Sequence, residues 1–281
     1  MYMKRYSILL IIALALAGCN RHNTRTTLTI LHTNDTHSQV EPFAKGSSKG
    51  DRAGYARRMG LIEKERVADP DLLLLDAGDF SQGTPYFNFF HGRVEVDALN
   101  RMQYDAVTLG NHEFDNGVDS LAVILRDAKF DVVCANYEVA GTPLEGVVKP
   151  YTILNRKGLR IGIFGIGVAP DNLITPQNFA PLKWLYPLPV ANKTAERLRK
   201  KERCDVVVCL SHLGTNQASK DSEICDRWLA ENSRNIDVII GGHTHKVVEN
   251  LYVKNLDGKD VLLAQMGKSG IHLGKITLTI E

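Results

Sequence analysis

Five short runs of this sequence gather side chains that can hold a metal ion or move a proton. They are Asn34-Asp35-Thr36-His37, Asp76-Ala77-Gly78-Asp79, Gly110-Asn111-His112-Glu113, Leu210-Ser211-His212 and Gly241-Gly242-His243-Thr244-His245. Asp35 with His37, and His243 with His245, are spaced i, i+2, which on an extended segment sets both side chains of a pair on one side. Such a pair can reach one ion or two adjacent ones. Asp, His and Asn donors without thiolate suit borderline or hard divalent metals: Zn, Mn or Fe, with Mg a poorer match. Two such ions roughly 3.5–4 Å apart clamp a phosphoryl oxygen and bring the pKa of a bound water towards about 7, so that hydroxide attacks phosphorus in line. No nucleophilic side chain is then required.

Elements must bring these runs together, and each run directly follows an apolar stretch. Strand-like stretches are Leu28–Thr33, Leu72–Leu75, Ala106–Leu109, Asp131–Cys134, Tyr151–Leu154, Arg160–Ile166, Val206–Leu210, Val238–Ile240, Val261–Gln265 and Lys275–Ile280. Helix-like stretches are Ala53–Val67, Glu95–Met102, Val118–Ala128, Val190–Glu202 and Ile224–Asn232. The alternation predicts an α/β domain. Its strands are too many for one open sheet, so two packed sheets with helices outside are expected. In α/β domains sites form just beyond the carboxyl ends of strands, which is where all five runs fall. Gly78, Gly110, Gly241 and Gly242 allow sharp turns there.

In this order and spacing the runs resemble the signature of calcineurin-like metallophosphoesterases: D-x-H, G-D, G-N-H-[ED], H and G-H-x-H. The flanking text is most similar to the catalytic domain of bacterial 5′-nucleotidases, at Thr33–Val40 (TNDTHSQV), Leu75–Pro85 (LDAGDFSQGTP), Tyr104–Gly117 (YDAVTLGNHEFDNG) and Leu210–Gly214 (LSHLG). The resemblance covers essentially all of Leu28 to Glu281. It implies a four-layer α-β-β-α sandwich of two mixed sheets, with a dinuclear metal site at the strand ends. It also implies roles. Asp35, His37 and His245 would bind one metal, Asn111, His212 and His243 the other, and Asp79 would bridge both. Asn111 and His112 would touch substrate. His112 would stabilise developing charge or protonate the leaving oxygen, with Asp115 orienting it, since a carboxylate raises imidazole basicity and fixes the ring.

Other polar residues have plainer readings. Asp76 is expected to support its turn, and Glu113 to bond backbone rather than metal. Asp97 and Asn136 read as capping or turn residues. His32, His91 and His272 read as structural or surface residues, and His22 as part of a tether. Tyr86, Phe87, Phe89 and Phe90 could line a substrate mouth, but an aromatic run of this kind reads first as core.

The chain has 281 residues with 34 basic and 32 acidic side chains. Lys4 and Arg5 lie ahead of Cys19, so the remainder is balanced at 32 of each, which gives no general attraction to nucleic acid. Lys4 and Arg5 precede the apolar run Ile8–Ala17, about ten residues, too short for the roughly 20 that span a bilayer. It reads as a secretion signal over residues 1–18. Leu16-Ala17-Gly18-Cys19 resembles the lipobox of bacterial lipoproteins, with Cys19 as the lipidated residue, residues 19–27 as a tether and 28–281 as the catalytic domain. The expected location is therefore exported and membrane-anchored, periplasmic or facing the cell surface. Cys134, Cys204, Cys209 and Cys225 show no paired zinc-thiolate spacing, and no disulfide is assigned among them.

Bacterial 5′-nucleotidases of this type continue into a C-terminal domain that holds base and phosphate. A separate polypeptide supplying that domain is the expected partner. The leading expectation is phosphomonoester hydrolysis of nucleotides. The same metals would also serve a phosphodiester, UDP-sugar pyrophosphate or thiosulfate-ester hydrolase. An inactive metal-binding scaffold is the alternative from another class, and intact His112 and Asp115 speak against it.

Overall fold

The computed structural model describes residues 25–215 and 224–280. The signal-like run, Cys19 and His22 lie outside them. In chain order the first half contains β1 (Thr26–Thr33), α1 (Tyr55–Ala68), β2 (Leu73–Asp76), α2 (Pro85–Phe90), α3 (Arg93–Arg101), β3 (Ala106–Val107), α4 (Gly117–Leu125), β4 (Asp131–Val133), β5 (Tyr137–Glu138) and β6 (Val148–Lys149). The second contains β7 (Tyr151–Arg156), β8 (Leu159–Ile166), α5 (Pro176–Phe179), β9 (Lys183–Trp184), α6 (Pro187–Glu196), β10 (Val206–Ser211), α7 (Asp226–Glu231), β11 (Val238–Gly241), β12 (Val247–Lys254), β13 (Asp260–Met266) and β14 (Gly274–Ile280).

Two mixed sheets result. One has the order β14-β1-β2-β3-β4-β6, parallel except where the last strand returns antiparallel along the first. The other has the order β12-β13-β11-β10-β8-β7, parallel in the middle and antiparallel at both edges. Three apolar layers separate four layers of structure. Leu28, Ile30, Leu73 and Leu75 of the first sheet face Ile161, Ile163, Val208 and Ile240 of the second. Leu31, Leu74 and Val107 pack outward on Ile62 of α1, Val96 and Leu99 of α3 and Leu121 of α4. On the far side Phe164, Val207 and Ile239 meet Ala191 and Ala195 of α6 and Leu229 of α7. Strands covered on both faces read as continuous apolar runs, as β10 does with Val206-Val207-Val208-Cys209-Leu210. The four-layer sandwich anticipated from sequence is the fold observed.

Differences are local. β1 opens at Thr26, so Thr26 and Thr27 belong to the sheet rather than to the tether, paired with Ile280 and Thr279. The helix expected from Val190 starts at Pro187, whose fixed φ suits a first helical turn, and its last turn, Arg197–Lys201, is a π-turn. β12 was not anticipated: it is an edge strand with most side chains in solvent, and so lacks an apolar signature. The core reading of the aromatic run holds for Phe87 alone. It lies on the inner face of the six-residue α2, while Phe89, two positions on, is 77% exposed and Phe90 48%. Tyr86 donates its hydroxyl to Glu41 at 2.9 Å. Cys134, Cys204, Cys209 and Cys225 are free thiols. Among the described residues no helix is long and apolar enough to cross a membrane.

Candidate metal centre

The five runs meet where the two sheets present their strand ends. β1 ends at Thr33 and runs into Asp35 and His37; β2 ends at Asp76, three residues before Asp79. β3 leads through Gly110 to Asn111 and a 3-10 turn, His112–Phe114. From the facing sheet, β10 ends one residue before His212, and β11 two residues before His243. Three neighbouring strands of one sheet and two of the other therefore supply the site.

Two donor sets share a residue. Asp35, His37, Asp79 and His245 each offer a ligand atom, all within 4.8 Å of one another, and Asp79, His212 and His243 do the same. His37 Nε2 and His245 Nε2 face each other at 3.1 Å, and His245 Nε2 stands 3.3 Å from Asp35 Oδ1. His212 Nε2 lies 3.1 Å from Asp79 Oδ2. Its Nδ1 is 2.7 Å from the Ala77 carbonyl, which can only accept, so Nδ1 carries the proton and Nε2 points inward. The buried Oδ1 of Asn111 and Nε2 of His212 have no hydrogen-bond partner in the protein. Buried carboxylates, inward imidazole nitrogens and an unpartnered amide oxygen are a donor set that fits two divalent cations.

The backbone is bent to achieve this. Asp35, His37, Asp79, His243 and His245 all have positive φ, between 45° and 71°. Left-handed conformations at non-glycine residues cost of order 1–3 kcal/mol each, and persist where surrounding structure imposes them. Here that structure is a set of buried props. Glu113 accepts the amides of Asp79 (2.9 Å), Ser81 (3.0 Å) and Gly110 (2.6 Å), as the sequence reading of a backbone-bonded carboxylate anticipates. Asp76 accepts from Gly78 N and Thr33 Oγ1, supporting its turn. Asn34 bridges Gly267 O and Met266 N, and Gln265 ties Gly242 O to Lys246 N. At Gly110 a Cβ would collide with Asp79 and His212, so a side chain is excluded there.

Electrostatics follow from packing unlike charges in a dry space. Burial opposes ionisation of Asp35, but hydrogen bonds from His245 and His37 and the charge of His212 hold it well below the usual carboxylate range. Burial likewise opposes charge on Asp79, and His212 outweighs it, bringing Asp79 to about 2. Burial disfavours charge on His212, but Asp79 and Asp35 lift it to about 10. Burial and the His212 charge press His243 down to about 4. Without metal, then, a protonated His212 supplies the positive charge the two carboxylates require.

Beside this centre, His112 Nδ1 and Asp115 Oδ2 are 2.9 Å apart, and the His112 ring lies 5.3 Å from that of His37. The His112 backbone amide donates to Asp79 Oδ1 at 2.9 Å. Burial disfavours charge on the His112 ring, yet the Asp115 hydrogen bond and the Asp79 charge raise its pKa above the ordinary value.

Six of the seven residues expected to bind metal fall in the two donor sets, and the seventh, Asn111, precedes His112, whose amide bonds Asp79. His32 is buried in the first sheet, and His91 ends α2 in a left-handed turn. His272 lies in the turn that leads into β14, among the residues around Lys64 and Val247 rather than at the metal centre. Asp97 pairs with exposed Arg101, and Asn136 exchanges bonds with the Gly167 backbone. Sequence reasoning missed Gln265, whose polarity at a strand's carboxyl end was the available signal. It also missed Asp226, buried behind His212 and accepting from Ser211 Oγ.

The family described as calcineurin-like phosphoesterase matches residues 28–247. Snake venom 5′-nucleotidase of Crotalus adamanteus is 33% identical over 278 residues, 90% of this chain and 45% of that protein. The 5′-nucleotidase of Homo sapiens is 34% identical over 251 residues, 83% of this chain and 40% of that one. Among solved structures, a 5′-nucleotidase precursor from Thermus thermophilus superposes with a TM-score of 0.81 at 34% identity, covering 91% of this chain and 52% of that one. This chain thus spans about half the length of the relatives it matches.

Proposed function

The chain belongs to the calcineurin-like phosphoesterase family, and from that premise we propose that it is a two-metal phosphomonoesterase acting on nucleotides, with 5′-nucleotidase chemistry. The observation that carries this reading is the pair of donor sets sharing Asp79, with the His112–Asp115 pair set beside them. Asp35, His37 and His245 would hold one ion, Asn111, His212 and His243 would hold the other, and Asp79 would be shared between them. When bound, two divalent ions supply Lewis acidity toward the phosphoryl oxygens and toward water.

The chain's own residues do the rest. Glu113, Asp76 and Gln265 keep the ligand loops in their bent conformations, so the donors are placed before substrate arrives. Asn111 and His112 touch the phosphoryl group. Asp115 occupies Nδ1 of His112, which leaves Nε2 to donate a proton to the leaving oxygen or to stabilise its charge. The Asp115 hydrogen bond favours the protonated ring.

The test is phosphate release from AMP, cyclic 2′,3′-AMP, UDP-glucose and p-nitrophenyl phosphate by chain loaded with Mn or Zn, beside a His112→Ala control. Metal-dependent release from AMP that collapses in the control supports the proposal. Preference for the cyclic or pyrophosphate substrate moves it to the diesterase class. Stoichiometric metal binding with no turnover of any substrate points to a missing C-terminal partner or to the scaffold reading.

Two extensions rest on the sequence. Leu16-Ala17-Gly18-Cys19 supports export and lipid anchoring at Cys19; a Cys19→Ser chain that still partitions into detergent would refute the anchor. A second polypeptide that completes the substrate site is the proposed partner; affinity capture of the native protein without a co-purifying C-terminal-domain protein would count against it.

A further inference from the structure

The reaction proposed above depends on where His112 points, and the backbone bonds inside the turn that carries it are long. Within the turn, Phe114 N reaches Asn111 O and Asp115 N reaches His112 O, both at 3.2 Å, the long end of hydrogen-bond range. The front of the turn is held by His112 N on Asp79 and by the Glu113 carboxylate on the Asp79, Ser81 and Gly110 amides; its Asp115 end is held by a segment some sixty residues further along the chain. Asn178, in α5, donates Nδ2–H to the Asp115 carbonyl at 2.8 Å. Its neighbour Phe179 is buried and meets Phe114 edge-on at 5.2 Å, and Tyr137 packs against both, at 5.6 Å from Phe114 and 5.1 Å from Phe179. One residue therefore fixes the backbone of Asp115, and the next clamps the ring that precedes it.

The approach is close. Gly117 has φ +79°, and a Cβ there would stand 3.9 Å from Asn178 Cα, so a residue that turns without strain lets α5 lie against the start of α4. α5 is itself tied down, with Asn178 N bonded to Thr175 O at 2.8 Å and Ala180 N to Pro176 O at 3.0 Å. The loop Pro170–Leu182 lines a cleft of about 750 Å³ and seats Ile174, Phe179 and Leu182 in the core. The bond to Asp115 thus links this loop to the turn that carries His112.

We propose that Asn178 is a positioning residue for the hydrolysis: it acts through Asp115 to fix the bearing of the His112 imidazole on the leaving oxygen. This rests on the phosphoesterase reading given above. The carbonyl it holds belongs to the residue whose carboxylate orients His112, so losing the bond lets the carboxylate swing without removing a ligand atom.

The experiment uses the full chain loaded with Zn and compares wild type, Asn178→Ala, Asp115→Asn and the double variant. Against AMP, whose alkoxide leaving group needs a proton, N178A is expected to lose about tenfold in kcat with KM unchanged, a fraction of the roughly 10²–10⁴ that general acid catalysis supplies. Against p-nitrophenyl phosphate, whose phenolate leaves unaided, the loss is expected to stay within about twofold. In the D115N background, adding N178A is expected to change kcat little, because the two act through one path. Independently of turnover, the ¹⁵N resonance of His112 Nδ1 is expected to move in N178A. Equal losses on both substrates, full additivity with D115N, or an unmoved Nδ1 resonance would each overturn the proposal. A wild-type chain inactive on every substrate would overturn the phosphoesterase reading instead, while the Nδ1 resonance would still decide whether Asn178 positions His112.

Discussion

Glu113 offers the sharpest check on how the site is held. Its carboxylate is buried beside the candidate metal ligand Asp79 and receives three backbone N–H groups, from Asp79, Ser81 and Gly110, across two loops. Burial and the nearby Asp79 charge push its pKa up to about 8, and the amides of Ser81 and Gly110 pull the other way. Replacing Glu113 with Ala leaves three buried donors without partners, at about 1–3 kcal/mol each, so a loss of roughly 3–6 kcal/mol is expected once some water enters. That is a large share of the about 5–15 kcal/mol a domain possesses. Glu113→Gln behaves differently. A Gln carbonyl placed where Oε2 stands keeps the bonds to Asp79 and Gly110 and turns an NH₂ towards the Ser81 amide. One donor is lost rather than three, so E113Q is expected to lose roughly a third as much, about 1–2 kcal/mol. Urea denaturation at pH 7, on zinc-loaded and chelator-treated protein, measures both. The reasoning fails if E113A unfolds within about 1 kcal/mol of wild type, or if E113Q and E113A lose the same amount.

Three further outcomes are expected. His112→Ala should retain both metals by elemental analysis while kcat falls by about 10²–10⁴, the range of a lost proton donor; a tenfold fall in metal content would make His112 structural instead. Because His212 holds a proton up to about pH 10 in the metal-free site, metal binding at pH 7 should release about one proton, seen calorimetrically as a heat that varies with the ionisation enthalpy of the buffer; a buffer-independent heat would contradict the protonated state. Burial raises Asp226 to about 7, so the metal-free native state keeps a proton the unfolded chain has lost, and stability should fall as pH climbs from about 4 to 7, by about 4 kcal/mol. Asp226→Asn should flatten that slope, and parallel stability curves for the two proteins at pH 5 and pH 8 would refute it.

The chemistry was more legible in the sequence than the framework that aims it. Asp35, His37, His243 and His245 announce themselves because ligand types at i, i+2 directly follow apolar runs, and a strand end is the one place where such text is useful. Asp76 and Glu113 were readable as props because carboxylates beside glycines in tight turns have backbone amides within reach. Asn178 was not readable: its partner is distant in sequence, its helix has a single turn, and nothing in Pro176-Gln177-Asn178-Phe179 distinguishes it from any surface turn. β12 escaped for a related reason, since an edge strand in solvent needs no apolar face. Phe89 and Phe90 misled, because aromatic residues on a six-residue helix cannot all reach the core.

The pairing of the last strand with the first has a consequence for anything attached to this domain. Thr26 lies opposite Ile280, so both ends of the described chain leave together, at the amino end of β1. The loop with Asp35 and His37 begins at the other end of that strand, roughly 25 Å away for eight residues. The domain therefore has a rear mount and a working front. Whatever is joined behind, whether a surface, a carrier or another folded unit, leaves the catalytic mouth pointing outward. An appendage that is to reach substrate must run the length of the domain before it arrives.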